Sequence, residues 1–229
     1  MSASRTRLLV VADTYLPRWD GMARVLACTL PRLTETFDVR LLVPDYAAWH
    51  PNKVRPNLPG VELILMRLIP GLAIAPGIGL PWLDAALVRQ SVEWADICFT
   101  HSAGPLGAAV LHFAYEGGVP VASFVHSVEW DVYGAHAELY FGRRGGDIFR
   151  WLWLAILRHN YHPCRARVLM VPSPSTRSAL TVSAVGGSTD GAAIQVVELG
   201  VDAARFVPLP TPTARAMRKE ELGRTRSEI

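Results

Sequence analysis

A chain of 229 residues, 50% apolar and 19% charged, can build one large domain or two small ones, and is too rich in apolar residues to be disordered. Its net charge of +3 asks for no nucleic acid. Cys28, Cys98 and Cys164 are odd in number and in no CxxC spacing, which argues against a disulfide framework or a metal centre and fits reduced thiols in a cytoplasmic protein.

The first residues, Met1 to Arg7, pass at once into a short strand-like run and do not read as a signal peptide. An apolar run from Leu8 to Ala12 ends in Asp13, and a loop through Pro17, Trp19 and Gly21 leads to a helical pattern over Met22 to Thr36. Pro31 should kink that helix or shorten it. A strand over Val39 to Val43 follows, then a Pro-bearing surface loop from Tyr46 to Gly60 and a strand over Val61 to Met66. The stretch Ile69 to Pro81 mixes prolines and glycines with apolar residues and reads either as a crossover loop or as an apolar lip on a groove. Further on, helices are expected around Pro81 to Trp94, over Pro105 to Glu116, over Asp147 to Tyr161 and over Ser175 to Ser183. Strands are expected at Ile97 to Thr100, Val119 to Val125, Val168 to Val171 and Ile194 to Leu199, with Gly117-Gly118 and Gly186-Gly187 ending the helices before them. Strands alternating with helices predict an α/β fold: a mostly parallel sheet of about seven strands with helices on both faces.

In a parallel sheet the carboxyl ends of the strands share one edge, and ligands of open α/β sheets sit there. That edge carries Asp13, Pro44, His101, His126, Ser173 and Gly200, followed closely after His126 by Glu129, Asp131 and Tyr133. Glu129 and Asp131 read as solvated loop carboxylates, and Ser173 and Thr176 as the cap of the helix after them. The first strand has no GxGxxG behind it, and no Walker loop, GxSxG elbow or HExxH occurs, so a nicotinamide or flavin enzyme is not indicated.

Several of these segments, in order along the chain, resemble family 4 retaining glycosyltransferases of GT-B fold. They are Asp13 to Arg24, Ala95 to Gly107, Gly118 to His126 with Tyr133, Val171 to Thr176, and Glu198 to Asp202 with Phe206, Val207 and Pro208. The version Asp20-Gly21-Met22 is similar to the subgroup that glycosylates membrane lipids. The resemblance implies a Rossmann-like domain over 1–208, the acceptor-binding half of a GT-B enzyme, followed by a charged tail or linker at 209–229. It implies hexose transfer from a nucleotide sugar, the donor being a substrate and no cofactor or metal being needed. His126 is implied to face the transferred sugar. Asp13, Pro17, Trp19, Gly21, Met22, His101, Tyr133 and Ser173 are implied to bind substrate, with Gly21 letting backbone N–H groups approach a phosphate.

In that family the donor is held mainly by a second domain, and its counterpart is expected outside this sequence. The expectation is therefore a lipid- or glycan-directed acceptor half that needs a separate donor-binding domain. The alternatives are a binding or regulatory module that has lost the chemistry, and an unrelated flavodoxin-like protein. Between Arg143 and Arg167 six arginines face the single acid Asp147. With the apolar run from Trp151 to Leu157, the segment Phe149 to Arg167 reads either as a core helix or as a contact with the inner face of a membrane.

Overall fold

The computed structural model describes residues 5–18, 20–49, 57–75, 78–187 and 193–200. Seven strands form one parallel sheet: β1 (Arg7–Val11), β2 (Asp38–Pro44), β3 (Val61–Met66), β6 (Ile97–Thr100), β7 (Val121–Phe124), β8 (Val168–Val171) and β9 (Ala193–Val196). The order across it is β3-β2-β1-β6-β7-β8-β9, and every neighbouring pair is parallel. The chain builds outward from β1 to β3 and then returns to the other side of β1. The strand order thus reverses between β1 and β6, and a crevice opens there at the carboxyl edge. This is the Rossmann-like α/β sheet that the alternation predicts.

Burial of the sheet on both faces follows from the period of two along β1. Leu8, Val10 and Ala12 enter one core with Ala23, Leu26 and Leu30 of α1 (Gly21–Leu33). Leu9 and Val11 enter the other, with Val88 and Val92 of α2 (Ala85–Trp94) and Leu106, Val110 and Leu111 of α3 (Pro105–Gly117). Further along, α4 (Glu129–Asn160) and α5 (Pro174–Val182) add Leu157 and Leu180 to that second core. Pro31 lies in the last turn of α1, which ends earlier than its periodicity predicts. Gly118 takes the left-handed conformation that stops α3, at φ 68°.

Two expectations are corrected. The stretch from Ile69 is no crossover loop: β4 (Leu68–Ala75) pairs antiparallel with β5 (Ile78–Pro81) as a separate hairpin. The segment after His126 is no solvated loop: α4 begins at Glu129 and holds Glu129 and Asp131 in its first turn, ahead of the stretch where the helix from Asp147 is expected.

That helix is itself folded in two. Gly142 has φ 66° and ψ 178°, outside helical space, and the arms 129–141 and 143–160 run back along each other. Trp153 Nε1 lies 3.4 Å from Glu129 Oε2, and Arg150 pairs with Glu138 at 3.1 Å. In an unbroken helix Glu129 and Trp153 would stand about 36 Å apart. Glycine makes the close approach possible, since a Cβ on Gly146 would come 2.8 Å from the Cβ of Glu138 and 3.0 Å from the carbonyl oxygen of Gly134. The run from Trp151 to Leu157 is therefore not core on every side. Leu157 is buried and Trp153 is half-buried, whereas Trp151 is 69% exposed. Among the described residues no helix is long and apolar enough to cross a membrane.

Candidate functional site

The loop after β1 is built into the protein rather than hung from it. Tyr15 is fully buried, and the Tyr46 hydroxyl donates to the Asp13 carbonyl at 3.2 Å. Arg18 pairs with Asp20 at 3.1 Å, and Asp20 caps α1 by accepting from Ala23 N–H at 2.9 Å. The peptide between Leu16 and Pro17 is cis.

Asp13 is buried, and both its carboxylate oxygens are taken by the chain. Oδ1 accepts from the Leu106 N–H at 2.8 Å, while Oδ2 accepts from the Ser102 hydroxyl at 2.5 Å and the Gly107 N–H at 3.3 Å. The N-terminus of α3, a natural anion site, is thus filled from within by a side chain 93 residues upstream of Leu106. Burial pushes the Asp13 carboxyl up, and the bonds from Ser102, Leu106 and Gly107 pull against it.

A cleft of about 610 Å³ opens along the carboxyl edge beside this clamp. Asp13, Thr14 and Ser102 form part of its floor with His126, and Met22 of α1 and Ile78 of β5 form part of its wall. The arms of α4 complete it with Glu129, Val132, Tyr133, Leu139, Phe149 and Trp153. The wall is largely apolar, and Phe149 and Trp153 stack within it at 6.1 Å between ring centroids.

Behind His126 lies His101, 3.0 Å away from His126 Nε2 through its own Nδ1. His101 is buried against Phe99 and Phe124, and its Nε2 has no hydrogen-bond partner among the described residues. A buried bare acceptor costs less than a buried orphan N–H, which places the His101 proton on Nδ1, donated to His126 Nε2. His126 then carries its own proton on Nδ1. Burial lowers His101 to about 3, helped by His126, and lowers His126 to about 4 despite the opposing charge of Asp20. Both rings are neutral near pH 7, and His126 is a hydrogen-bond donor there.

Among the described residues of this cleft, Glu129 is the carboxyl whose bonding capacity is not used up. Trp153 is its hydrogen-bond donor, through Oε2, and burial raises it to about 7, with Asp13 adding to the rise. The sequence pointed to Asp13, Met22, His126 and Tyr133, and all four line the cleft. His101 stands behind it as the partner of His126. Gly21 opens α1 with nothing within 4 Å of where a Cβ would sit, and Ser173 caps α5 by accepting from Thr176 N–H. Neither of these, nor Pro17, is part of the cleft wall. Trp19 lies outside the described residues, as does 201–229 with Val201, Asp202 and Phe206 to Pro208. What the sequence reading missed is the α4 hairpin, which brings in Phe149 and Trp153.

The family model of Glycosyltransferase Family 4 matches residues 19–205. The chain belongs to glycosyltransferase family 4. The match covers β2 to β9, so the cleft of this family 4 domain lies almost wholly inside it. A search of the curated proteins finds no match. Among solved structures, the chain is similar to one described as a Rossmann-fold NAD(P)-binding family protein from Shigella flexneri. The identity is 11% and the TM-score 0.38, over 74% of this chain and 68% of that one, and a likeness of that degree says nothing of function.

Proposed function

We propose that this family 4 domain is the acceptor-binding half of a retaining GT-B enzyme that moves a hexose from a nucleotide sugar to a lipid acceptor, and that it works only with a donor-binding domain. The cleft carries the reading: an apolar wall suited to an acyl or prenyl chain ends at His126, a neutral donor suited to a sugar hydroxyl. By family resemblance the first loop lies beside the donor diphosphate and the acceptor, and the phosphate clamp belongs to the other domain. Transfer is to be assayed with lipid and free-glycan acceptors, for this chain alone and paired with a donor domain. Transfer by the chain alone would overturn the need for a second domain. Amphiphile binding without transfer in any pairing would instead support a module that has lost the chemistry. His126→Ala is expected to lower turnover of the assembled enzyme by about a hundredfold or more while leaving the circular dichroism spectrum unchanged.

The reading extends to the inner face of the cytoplasmic membrane. Tyr140 and Phe141, 68% and 75% exposed, crown the α4 hairpin beside the exposed Arg143 and Arg144, with Ile148 and Trp151 nearby in sequence and also exposed. Apolar and aromatic side chains next to arginines suit an anionic lipid surface. Within the expected segment from Phe149 to Arg167, Phe149 faces the cleft, so we place the contact at the hairpin tip instead. Replacing Tyr140 and Phe141 by serine is expected to weaken co-sedimentation with phosphatidylglycerol vesicles at least about tenfold, each lost apolar side chain being worth roughly 1.5–3 kcal/mol. Unchanged partition would rule out the tip.

A further inference from the structure

A polyol both accepts and donates hydrogen bonds, and the cleft offers it one partner of each kind. The donor is His126 Nδ1–H, fixed by the bond from His101 to its other nitrogen. The acceptor is Glu129, three residues on, at the first turn of α4. Its Oε2 takes one long bond from Trp153, and its Oε1 takes none from the described residues. Asp13, the other carboxylate of the cleft, has both oxygens engaged by Ser102, Leu106 and Gly107 and has little left to give. A carboxyl group kept largely buried among Val132, Tyr133, Phe149 and Trp153 is costly to hold, and such groups gather where a ligand is met.

We propose that Glu129 and His126 together recognise the polyol head of an amphiphilic acceptor, Glu129 accepting a hydrogen bond from a head-group hydroxyl while the apolar wall holds the chain. This rests on the reading of the cleft as the acceptor site and adds the residue that tells a hydroxylated head from a bare apolar chain. Glu129 Oε1 takes the hydroxyl proton's hydrogen bond, and no bond is made or broken in this step. The titratable groups that interact with Glu129 are Asp13 from the end of β1, Tyr133 on α4 and Tyr161 at the end of α4, and His126 after β7 and His136 on α4 line the same cleft. With Glu129 raised to about 7 and His126 lowered to about 4, a pH step near neutrality belongs to the carboxyl and not to that histidine.

The test is calorimetric titration of the chain with n-hexyl glucopyranoside and with n-hexyl methyl ether, which has no hydroxyl to donate, between pH 5.5 and 8.5. The wild type is expected to bind the glucoside more tightly than the ether, and more tightly as pH rises through about 7. Glu129→Gln should weaken the glucoside about tenfold at pH 8, flatten its pH dependence and leave the binding of the ether within about twofold. Equal affinity of variant and wild type, a pH step that survives in Glu129→Gln, or no binding of the glucoside by the wild type would each overturn the proposal. Because no donor sugar is present, failure of glycosyl transfer and failure of this recognition are separate results.

Discussion

Asp13→Ala is expected to destabilise the domain by about 3 kcal/mol, lowering its melting temperature by about 6–12 °C. The carboxylate of Asp13 closes the first turn of α3 from the end of the neighbouring strand, with Leu106, Gly107 and Ser102 as its donors. Truncation leaves those donors buried with no acceptor, at roughly 1–3 kcal/mol each, partly offset because a desolvated carboxylate is no longer held in the fold. The carboxyl is closely packed where it sits: a Cβ at Gly104 would lie 2.7 Å from it, and one at Gly107 only 2.0 Å from the Ser102 carbonyl oxygen. A residue whose only task is to face a ligand would melt within about 0.5 kcal/mol of wild type on the same substitution. Thermal melts of the variant therefore distinguish a clamp that shapes the cleft from a group that touches substrate. An unshifted melt would return Asp13 to the second role.

The same clamp shows where sequence reading reaches and where it stops. The run from Leu8 to Ala12 is apolar throughout because both its faces are buried, and that much is visible in one dimension, as are Pro105 at the head of α3 and Gly118 behind it. The parallel sheet and the rim bearing Asp13, His101 and His126 follow from such local signals. That Asp13 meets Ser102 does not, since 89 residues separate them and no local pattern marks the pair. The α4 hairpin was hidden for a different reason. Its reversal rests on one glycine, Gly142, inside a stretch with good helical neighbours, and nothing in the periodicity of either arm tells that Trp153 returns to Glu129. Without that return, Trp151 and Trp153 look alike, and Glu129 looks like a loop acid. In the fold one tryptophan faces solvent, the other lines the cleft, and the acid becomes its most unusual group.

Glu129 should also leave a mark on stability against pH. Its carboxyl is raised from the ordinary 4.5 to about 7 by burial, so between those values the folded protein holds a proton that the unfolded chain has released. The contribution is fully present below about pH 4.5 and is lost as pH rises through 7, a difference of up to about 3 kcal/mol, reduced toward 1 by the water that reaches the open side of the cleft. His101 and His126 act with the opposite sign: lowered to about 3 and 4, they are neutral in the fold while the unfolded chain is protonated, so their contribution is lost on acidification below about 6.5. The whole-protein profile mixes the two, and the difference between wild type and Glu129→Gln isolates the carboxyl. Urea unfolding at pH 5 and pH 8 is expected to show the variant gaining about 1–3 kcal/mol on the wild type between those values. A constant difference would mean that Glu129 is ionised at both. A glutamine that makes the domain firmer at pH 8 while weakening its grip on a hydroxylated head would mark Glu129 as a residue the fold carries at a cost, because stability alone would favour the amide.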